Sequence, residues 1–349
     1  MTPRRFINLL PKKYIFLKTS NFFKFQYSRY NKFKNINYLP VTMDIEPTTG
    51  CNFRCTMCQV SSPSFEAKNM DLKTFKKIIN ENKQLIKIKL QGMGEPLVNK
   101  YIYEMISYAS DFGISTEIIC NGSMLNQNNI SKLMKNNLSK LTISIDGASK
   151  KVFENIRVKS DFEVVVNNAK NFRKNINKKY IRPEFSAWST IQAENLNEIE
   201  DIAMLCKEIG FDDLTYQVFL TGWGKDEWNK VNNRKNINYE NIEIKKRFDQ
   251  IISKYSSKNF IIKVFEENLL NYKKKCSWPW NSTYLSAKGE VVPCCIVGDP
   301  NVVNFGNINS SSFKEIWNSK QYNELRKKIS SNDLEDYCKN CYLETKQKV

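Results

Sequence analysis

The segment VTMDIEPTTGCNFRCTMC, residues 41–58, decides the fold. Its first seven residues, VTMDIEP, form a β-like run. Directly after this run, Cys51, Cys55 and Cys58 fall within eight residues, and histidine cannot add a ligand because the chain contains none. A structural zinc site is closed by four ligands. Three thiolates would instead leave one iron of a cubic 4Fe–4S cluster free to bind another molecule.

Further β-like runs follow the first and alternate with amphipathic helical patterns. One helix is predicted to begin behind an Asp71 cap, and two others are predicted to end at Gly113 and Gly210. Six strand–helix units imply a parallel α/β sheet, either doubly wound or curled into part of a barrel. The five later strands are expected at 85–92, 114–120, 141–147, 184–191 and 214–219.

Unusual motifs fall where these strands end. GMGEP (92–96) follows the second strand, CNG (120–122) the third, and SIDG (144–147) ends the fourth. Because parallel α/β sheets carry their sites at the carboxyl ends of the strands, the motifs are expected to serve one function.

The composition is that of a globular protein with reduced cysteines. The chain has 349 residues, 41% of them hydrophobic, and ten cysteines. No apolar run is long enough to span a membrane, and the basic N-terminus is a poor signal peptide. We therefore expect a cytoplasmic protein of one or two domains whose cysteines serve metal binding or catalysis rather than disulfides.

The net charge of +18 allows a nucleic-acid hypothesis. Lysine supplies 44 of the 54 basic residues, however, and the excess is spread along the chain, which favours compositional bias over nucleic-acid recognition. Residues 1–43 hold nine Lys or Arg and no acidic residue. Weak contact with an anionic membrane surface through residues 1–40 is one interpretation, and a solvated basic arm is the favoured one.

The cysteine spacing resembles that of the radical S-adenosylmethionine (SAM) enzymes. Their signature is Cys-x3-Cys-x2-Cys, which Cys51, Cys55 and Cys58 match without an insertion. The resemblance implies a partial (β/α)6 TIM-like barrel, a three-cysteine 4Fe–4S cluster and SAM as cofactors. It also implies domain boundaries: an extension at 1–40, a core at 41–222, a linker and helical region at 223–274, and an auxiliary domain at 275–349.

The other motifs resemble the family's cofactor contacts. GMGEP departs from Gly-Gly-Glu-Pro at Met93, which is tolerable where only the main chain binds. SIDG resembles the ribose motif, and a nearby arginine is implied to meet the cofactor's carboxylate. The residues implied to bind the cofactor are Met57, Gly92, Met93, Gly94, Glu95, Ser144, Asp146 and Arg157.

A second cysteine set lies near the C-terminus. It resembles a shortened SPASM ("twitch") domain, because the segment runs Cys276-x12-Gly289-x4-Cys294 and the chain adds only one further Cys-x2-Cys pair. The implied ligands of a second 4Fe–4S cluster are Cys276, Cys294, Cys338 and Cys341. A zinc ribbon on the same residues stays open, and Cys295 rivals Cys294 as a ligand.

The resemblance favours an oxidoreductase that acts on a small polar molecule such as a polyol, amino sugar or nucleotide sugar. The alternative is a peptide-modifying maturase, and the alternative of another class is a zinc-binding nucleic-acid module. The expected partners are the small-molecule substrate and a flavodoxin- or ferredoxin-type reductant, with no nucleic acid. No catalytic residue is identified; weak candidates are Cys120, Asn121 and Gln192, whereas Cys206 is expected in the core.

Overall fold

The computed structural model describes residues 13–31, 36–63, 65–176, 183–265 and 276–339. Cys341 lies outside these residues. The chain divides into two compact units. The first comprises 1–49, 68–117 and 270–349, and the second comprises 50–67 and 118–269. The fold is the predicted mostly parallel α/β class of a partial TIM barrel.

The first unit has strands in the order β11-β10-β1-β3. β1 pairs in parallel with β3 and β10, whereas β10 and β11 form an antiparallel hairpin. Its elements are α1 (Ile15–Asn31), β1 (Thr42–Ile45), α2 (Leu72–Glu81), β3 (Lys87–Leu90), α3 (Ile102–Asp111), α10 (Trp278–Asn281), β10 (Tyr284–Leu285), β11 (Val291–Val292), α11 (Phe313–Trp317), α12 (Lys320–Ser331) and α13 (Asp336–Lys339).

The second unit has the parallel strands β5-β7-β8-β9 and a separate antiparallel pair, β2 with β6. Strand β4 (Ser115–Cys120) begins in the first unit and ends in the second. The remaining elements are β2 (Arg54–Cys55), α4 (Gln127–Lys135), β5 (Lys140–Ser144), α5 (Lys150–Ile156), β6 (Arg157–Val158), α6 (Phe162–Ile176), β7 (Glu184–Thr190), α7 (Ile199–Ile209), β8 (Asp213–Gln217), α8 (Asp226–Asn233), α9 (Ile242–Tyr255) and β9 (Ile261–Phe265).

The six predicted strands are all present, each within a few residues of its expected range. The predicted helix ends are present too. Asp71 caps α2 by accepting from the Thr74 amide (2.6 Å), and Gly210 ends α7 with a left-handed backbone. In the second unit, Phe185 packs between the rings of Phe172 and Phe211, with centroids 4.9 and 4.1 Å apart. Helix and sheet are thus joined by aromatic packing.

Two segments differ from the sequence prediction in detail. In the segment 223–274, predicted as a linker and helical region, the described residues 223–265 contain two helices and the strand β9. One helical pattern spans residues 312–328 of the sequence, but the structure has two helices there, because Ser319 accepts from the Tyr322 amide and starts a new one. The hairpin of β10 and β11 turns at Gly289, whose φ is +81°. None of the described helices is long and apolar enough to cross a membrane.

Candidate functional site

The first three cysteines lie on a tightly bonded loop of the second unit. Cys55 belongs to β2 and is opposite Arg157 of β6. The Cys58 amide donates to the Cys55 carbonyl oxygen (3.0 Å), and Ser61 Oγ donates to the same oxygen (2.6 Å). The sequence therefore folds here into one short turn that carries all three thiols.

Polar side chains fix the start of this loop. Arg54 Nη1 donates to the carbonyl oxygens of Cys51 and Phe53, both at 2.7 Å. The Phe53 amide lies 3.4 Å from Cys51 Sγ. Asn121 Nδ2 lies 4.0 Å from the same sulfur and donates to Asn52 Oδ1 (2.9 Å). N–H groups directed at a sulfur favour its thiolate form, the form that binds iron.

The three cysteines are half-buried, and burial of their thiol groups raises the pKa of Cys55 to about 11 and the pKa of Cys58 to about 12. Metal binding must therefore displace protons from both sulfurs. Among the residues that the structure describes, no three His, Cys, Asp or Glu side chains converge as the ligands of a single metal ion.

A buried ion pair lies beside the loop. Arg157 Nη2 is 2.7 Å from Asp146 Oδ2, and Arg157 Nη1 is 4.0 Å from Cys55 Sγ. The other Asp146 oxygen accepts from the Thr190 amide (2.8 Å). Burial acts to lower the pKa of Arg157, but the charge and hydrogen bond of Asp146 together with the charges of Cys55 and Cys51 outweigh it, so the pKa is raised. The guanidinium therefore stays positive next to a cysteine ligand.

Several buried polar atoms near this pair have no hydrogen-bond partner among the described residues. They include Arg157 Nε and both amide atoms of Gln192, which is fully buried after β7. Buried polar groups are almost always paired, so such atoms suit a polar ligand. Ser144, half-buried at the end of β5, lies opposite Trp188 of β7. These residues fit a cofactor that carries charged and hydroxyl groups, as SAM does.

Residues around α8 hold the middle of the cysteine loop. Asn232 Nδ2 donates to the Met57 carbonyl oxygen (3.1 Å). Lys235 Nζ donates to Thr56 Oγ1 (3.0 Å) and to Glu194 Oε1 (2.7 Å). Sequence analysis missed these contacts because the segment has no motif and was predicted as a polar linker.

Met57 itself packs in a small apolar cluster with Ile156 and Leu220. Its main chain is bonded to Asn232, and its side chain is almost fully buried. A role of this side chain near the cofactor's adenine stays a prediction.

In the first unit, the GMGEP loop is built around a buried carboxylate that sequence analysis did not single out. The Met93 amide donates to Glu46 Oε1 (2.9 Å). A side chain at Gly92 would meet Glu46 Cγ at 2.4 Å, so only glycine fits there. Glu95 accepts from the Leu97 amide (3.1 Å) and starts a 3₁₀ turn at Pro96–Val98. The loop thus uses its main chain, which explains why Met93 is tolerated.

Glu46 also bonds the β10–β11 hairpin of the same unit. The Ala287 amide lies 3.2 Å from Glu46 Oε2, and Tyr284 bonds the same carboxyl group. Burial raises the pKa of Glu46 to about 7, against these hydrogen bonds, which lower it. One buried carboxyl group therefore links the loop implied to bind SAM to the segment that carries the second cysteine set.

A polar face on β1 and β3 was also missed. Asp44 is opposite both Lys89 and Tyr284 in the sheet register, and Gln91 Nε2 donates to Asp44 Oδ2 (2.6 Å). Burial raises the pKa of Asp44 in spite of Lys89. The signal was present in the sequence, because every second residue of both strands is polar and period-two residues share one face.

In the second cysteine set, three of the four expected ligands are within the described residues. The Cys338 thiol has a pKa raised to about 12 by burial and by the nearby Cys276 sulfur. Burial also raises the pKa of Tyr337, to which Cys338 and Cys294 both contribute. The structure therefore brings Cys276, Cys294 and Cys338 into one neighbourhood.

Cys295 has different neighbours. Burial raises its pKa, and the charges that act on it are those of Asp44, Cys294 and Lys89. Its sulfur is therefore near the polar face of β1 and β3, which favours Cys294 as the ligand.

The two remaining cysteines of the second unit are core residues. Cys206 is fully buried on α7, as predicted. Cys120 shares the buried face of β4 with Thr116 and Ile118 rather than the alternate face. Its weak candidacy for catalysis receives no support from this position.

A three-cysteine loop on a parallel α/β sheet, followed by a second cysteine set, defines an iron–sulfur enzyme of the radical SAM class. Family models agree: the radical SAM superfamily model matches residues 45–206, and SPASM, an iron–sulfur cluster-binding domain, matches residues 276–342. The chain belongs to the radical SAM superfamily and carries a SPASM-type domain. Its cofactors are therefore a 4Fe–4S cluster, SAM and additional iron–sulfur chemistry in the C-terminal domain, whereas a zinc-binding nucleic-acid module receives no support.

The chain is similar to several characterised proteins. It is 28% identical over 306 residues to an AdoMet-dependent heme synthase of Methanosarcina barkeri, covering 80% of this chain and 83% of the relative. It is 23% identical over 327 residues to a PqqA peptide cyclase of Bradyrhizobium diazoefficiens, and the match covers 87% of this chain and 79% of the relative. In fold it is similar to SuiB of Streptococcus suis bound to the precursor peptide SuiA, with a TM-score of 0.68 and 14% identity. The match covers 87% of this chain and 70% of the SuiB chain.

Proposed function

We propose that this radical SAM enzyme oxidises a peptide substrate. One observation supports radical generation most directly: three half-buried cysteines on one loop, with the Arg157 guanidinium 4.0 Å from Cys55 Sγ. A cation next to a thiolate-bound cluster favours the addition of an electron, since reduction potential depends on local charge. The cation would therefore ease loading of the cluster with an electron, and the strong reducing power that a donor to a sulfonium cofactor needs would come from the thiolate ligands.

The residues proposed to hold the cofactors are those of the two cysteine sets and the GMGEP loop. When bound, the first cluster and SAM supply a 5′-deoxyadenosyl radical that removes a hydrogen atom, and the second cluster supplies an acceptor for one electron. The chain's own part is to fix the thiols, through Arg54, Asn121 and Asn232, and to present main-chain groups at 92–95.

A substrate that loses a hydrogen atom and an electron must also lose a proton, so a base is needed for a net two-electron oxidation. We assign this role to Asp44, since it is buried, lies opposite Lys89 in the sheet, and has a pKa raised by burial. Perturbed ionisable groups of this kind cluster at functional sites. Gln91 orients the carboxylate by its 2.6 Å hydrogen bond.

The relatives support a peptide better than the small polar molecule favoured by sequence analysis. Two of the three compared proteins are named for peptide substrates, PqqA and SuiA. The polyol, amino-sugar or nucleotide-sugar substrate stays a prediction. The test is to give the reconstituted, reduced enzyme SAM and short peptides encoded beside its gene. Peptide oxidation is expected as a mass loss of about 2 Da, the mass of two hydrogens.

A second candidate function is a step of haem synthesis. The observation that favours it is the 28% identity over 80% of this chain to a heme synthase. The same assay with haem precursors in place of the peptide distinguishes haem synthesis from peptide oxidation. A modified tetrapyrrole with unmodified peptides would overturn the peptide proposal and leave the radical SAM class intact.

For the reductant we propose an acidic flavodoxin- or ferredoxin-type protein, supported by the net charge of +18. Its rate of reduction of the enzyme should fall as ionic strength rises, since salt screens such attraction. A rate independent of salt would contradict electrostatic docking.

A further inference from the structure

Helix α1 lies against the first unit by one face only. Lys18 Nζ donates to the Gly113 carbonyl oxygen (2.8 Å), and Asn21 exchanges two hydrogen bonds with the Leu39 main chain (2.7 and 3.1 Å). Phe25 is buried with its ring 6.3 Å from that of Tyr38. Positions 18, 21 and 25 share one helix face. The helix therefore has a defined orientation.

The opposite face carries large aromatic side chains in solvent. Phe16 is 89% exposed, Tyr27 66% and Phe23 65%, which makes them the three most exposed large hydrophobic side chains among the described residues. At 100° per residue they fall within about 40° of one another around the helix. We call these three residues the aromatic stripe. Apolar surface collected in this way marks an interaction site.

The charge of the surrounding chain indicates what covers the stripe. Residues 1–43 hold nine Lys or Arg and no Asp or Glu. Two of these lysines, Lys13 and Lys24, are exposed at the start and middle of α1. Basic residues beside exposed aromatic side chains are the features of helices that lie in the interface of an anionic membrane.

We propose that α1 docks the protein on an anionic membrane surface, with the aromatic stripe in the headgroup region and the exposed lysines Lys13 and Lys24 near lipid phosphates. A membrane is favoured over a protein partner because the stripe lies on one convex helix surface and its side chains are Phe and Tyr flanked by Lys. Such a surface fits a fluid interface without a matching groove. The proposal does not depend on the proposed function.

The test uses the full-length protein, loaded with iron and sulfide, in co-sedimentation with lipid vesicles. Wild-type protein should sediment with phosphatidylcholine vesicles containing about 30% phosphatidylglycerol, and binding should fall at about 0.5 M salt, where screening is strong. Pure phosphatidylcholine vesicles should retain little protein.

The variant F16S/F23S/Y27S should bind the anionic vesicles roughly tenfold more weakly, because it removes the buried apolar contribution. Its fold should be unchanged by circular dichroism, since all three side chains are mostly exposed. The matched control V164S/M204S/I242S removes three exposed apolar side chains from other helices. It should bind as the wild type does.

Three results would overturn the proposal. One is wild-type protein that stays in the supernatant with anionic vesicles. Another is a stripe variant that binds as well as the wild type. The third is a wild-type dimer that the stripe substitutions convert to a monomer, with no vesicle binding, which would mean that a second copy of the chain covers the stripe.

Discussion

Arg157 holds its charge in a buried position between a carboxylate and a cysteine sulfur. Its Nη2 atom meets Asp146 at 2.7 Å, and its Nη1 atom lies 4.0 Å from Cys55 Sγ. Burying the two charges costs desolvation free energy, and their mutual attraction and hydrogen bonding offset this cost. At the scale of the residue, this pair and Glu46 are the charges that shape the two candidate cofactor regions.

Arg157→Ala should destabilise the metal-free protein by about 3–5 kcal/mol, because it leaves the buried Asp146 carboxylate without its partner. The measurement is urea unfolding at neutral pH. Lys170→Ala is the matched control, since Lys170 pairs with Glu208 at 2.7 Å on the exposed surface. That substitution should cost under about 1 kcal/mol. Equal costs for both would contradict the buried pairing.

The raised pKa of Glu46 implies that the stability of the fold depends on pH. Its folded pKa of about 7 is above the ordinary value of 4.5. The folded state therefore binds more protons than the unfolded state between these values, and the free energy of unfolding should fall as pH rises from about 4.5 to 7. One group contributes at most about 1.4 kcal/mol per pH unit.

Glu46→Gln removes this titration, so its stability should fall less steeply than that of the wild type across the same window. Thermal or urea unfolding at several pH values measures both slopes, and the difference between the two proteins isolates Glu46 from other titrating groups. Parallel slopes would show that Glu46 does not titrate in this range.

Among the elements of the fold, α8 and the residues just after it hold the cysteine loop, although this segment carries no sequence motif. Asn232, at the end of α8, bonds the Met57 carbonyl oxygen, and Lys235 bonds Thr56. These contacts join residues separated by 175 and 179 positions in the chain. Local pattern cannot reveal them.

Asn232→Ala should loosen the loop and speed the loss of the first cluster in air, by a few fold, because a buried carbonyl loses its donor. The bleaching rate of iron–sulfur absorbance measures this. Asn233→Ala is the control on the same helix, since Asn233 is exposed. A pair of identical bleaching rates would mean that α8 does not stabilise the loop.

The strands and helix caps were predictable because their signals are local. Period-two runs gave β1, β3 and β4, and Asp71 and Gly210 marked helix ends. The cysteine spacing and its family resemblance supplied the class of enzyme. The Asp44–Lys89 face was visible as alternating polar residues, yet its meaning needed the register between strands. The contacts of Glu46 with Met93 and Ala287 depended on chain folding alone.

At the scale of the whole molecule, the chain carries one cysteine set in each compact unit. The radical SAM superfamily match at 45–206 contains the first set, and the SPASM match at 276–342 contains the second. The α1 surface is a third feature, with no counterpart among the cofactor motifs. Radical generation, electron acceptance and membrane docking are thus proposed for different parts of the chain.

In the second cysteine set, replacing either of two adjacent cysteines by serine should have different effects on the iron content of the protein. Cys294→Ser should lower the iron content of reconstituted protein from about eight to about four per chain, because one 4Fe–4S cluster loses a ligand. Cys295→Ser should retain about eight, since Cys295 is near Asp44 and Lys89 instead. Iron and sulfide analysis distinguishes them. The reverse pattern would assign Cys295 as the ligand.

Radical generation requires that Cys51, Cys55 and Cys58 hold a cluster that cleaves SAM. The most direct measurement is methionine and 5′-deoxyadenosine release by anaerobically reconstituted protein with dithionite and SAM, without added substrate. The account predicts both products from the wild type and from Cys338→Ser, and neither from the variant with all three loop cysteines changed to serine. Wild-type protein that carries its iron yet yields neither product, or a triple variant that yields both, would contradict it.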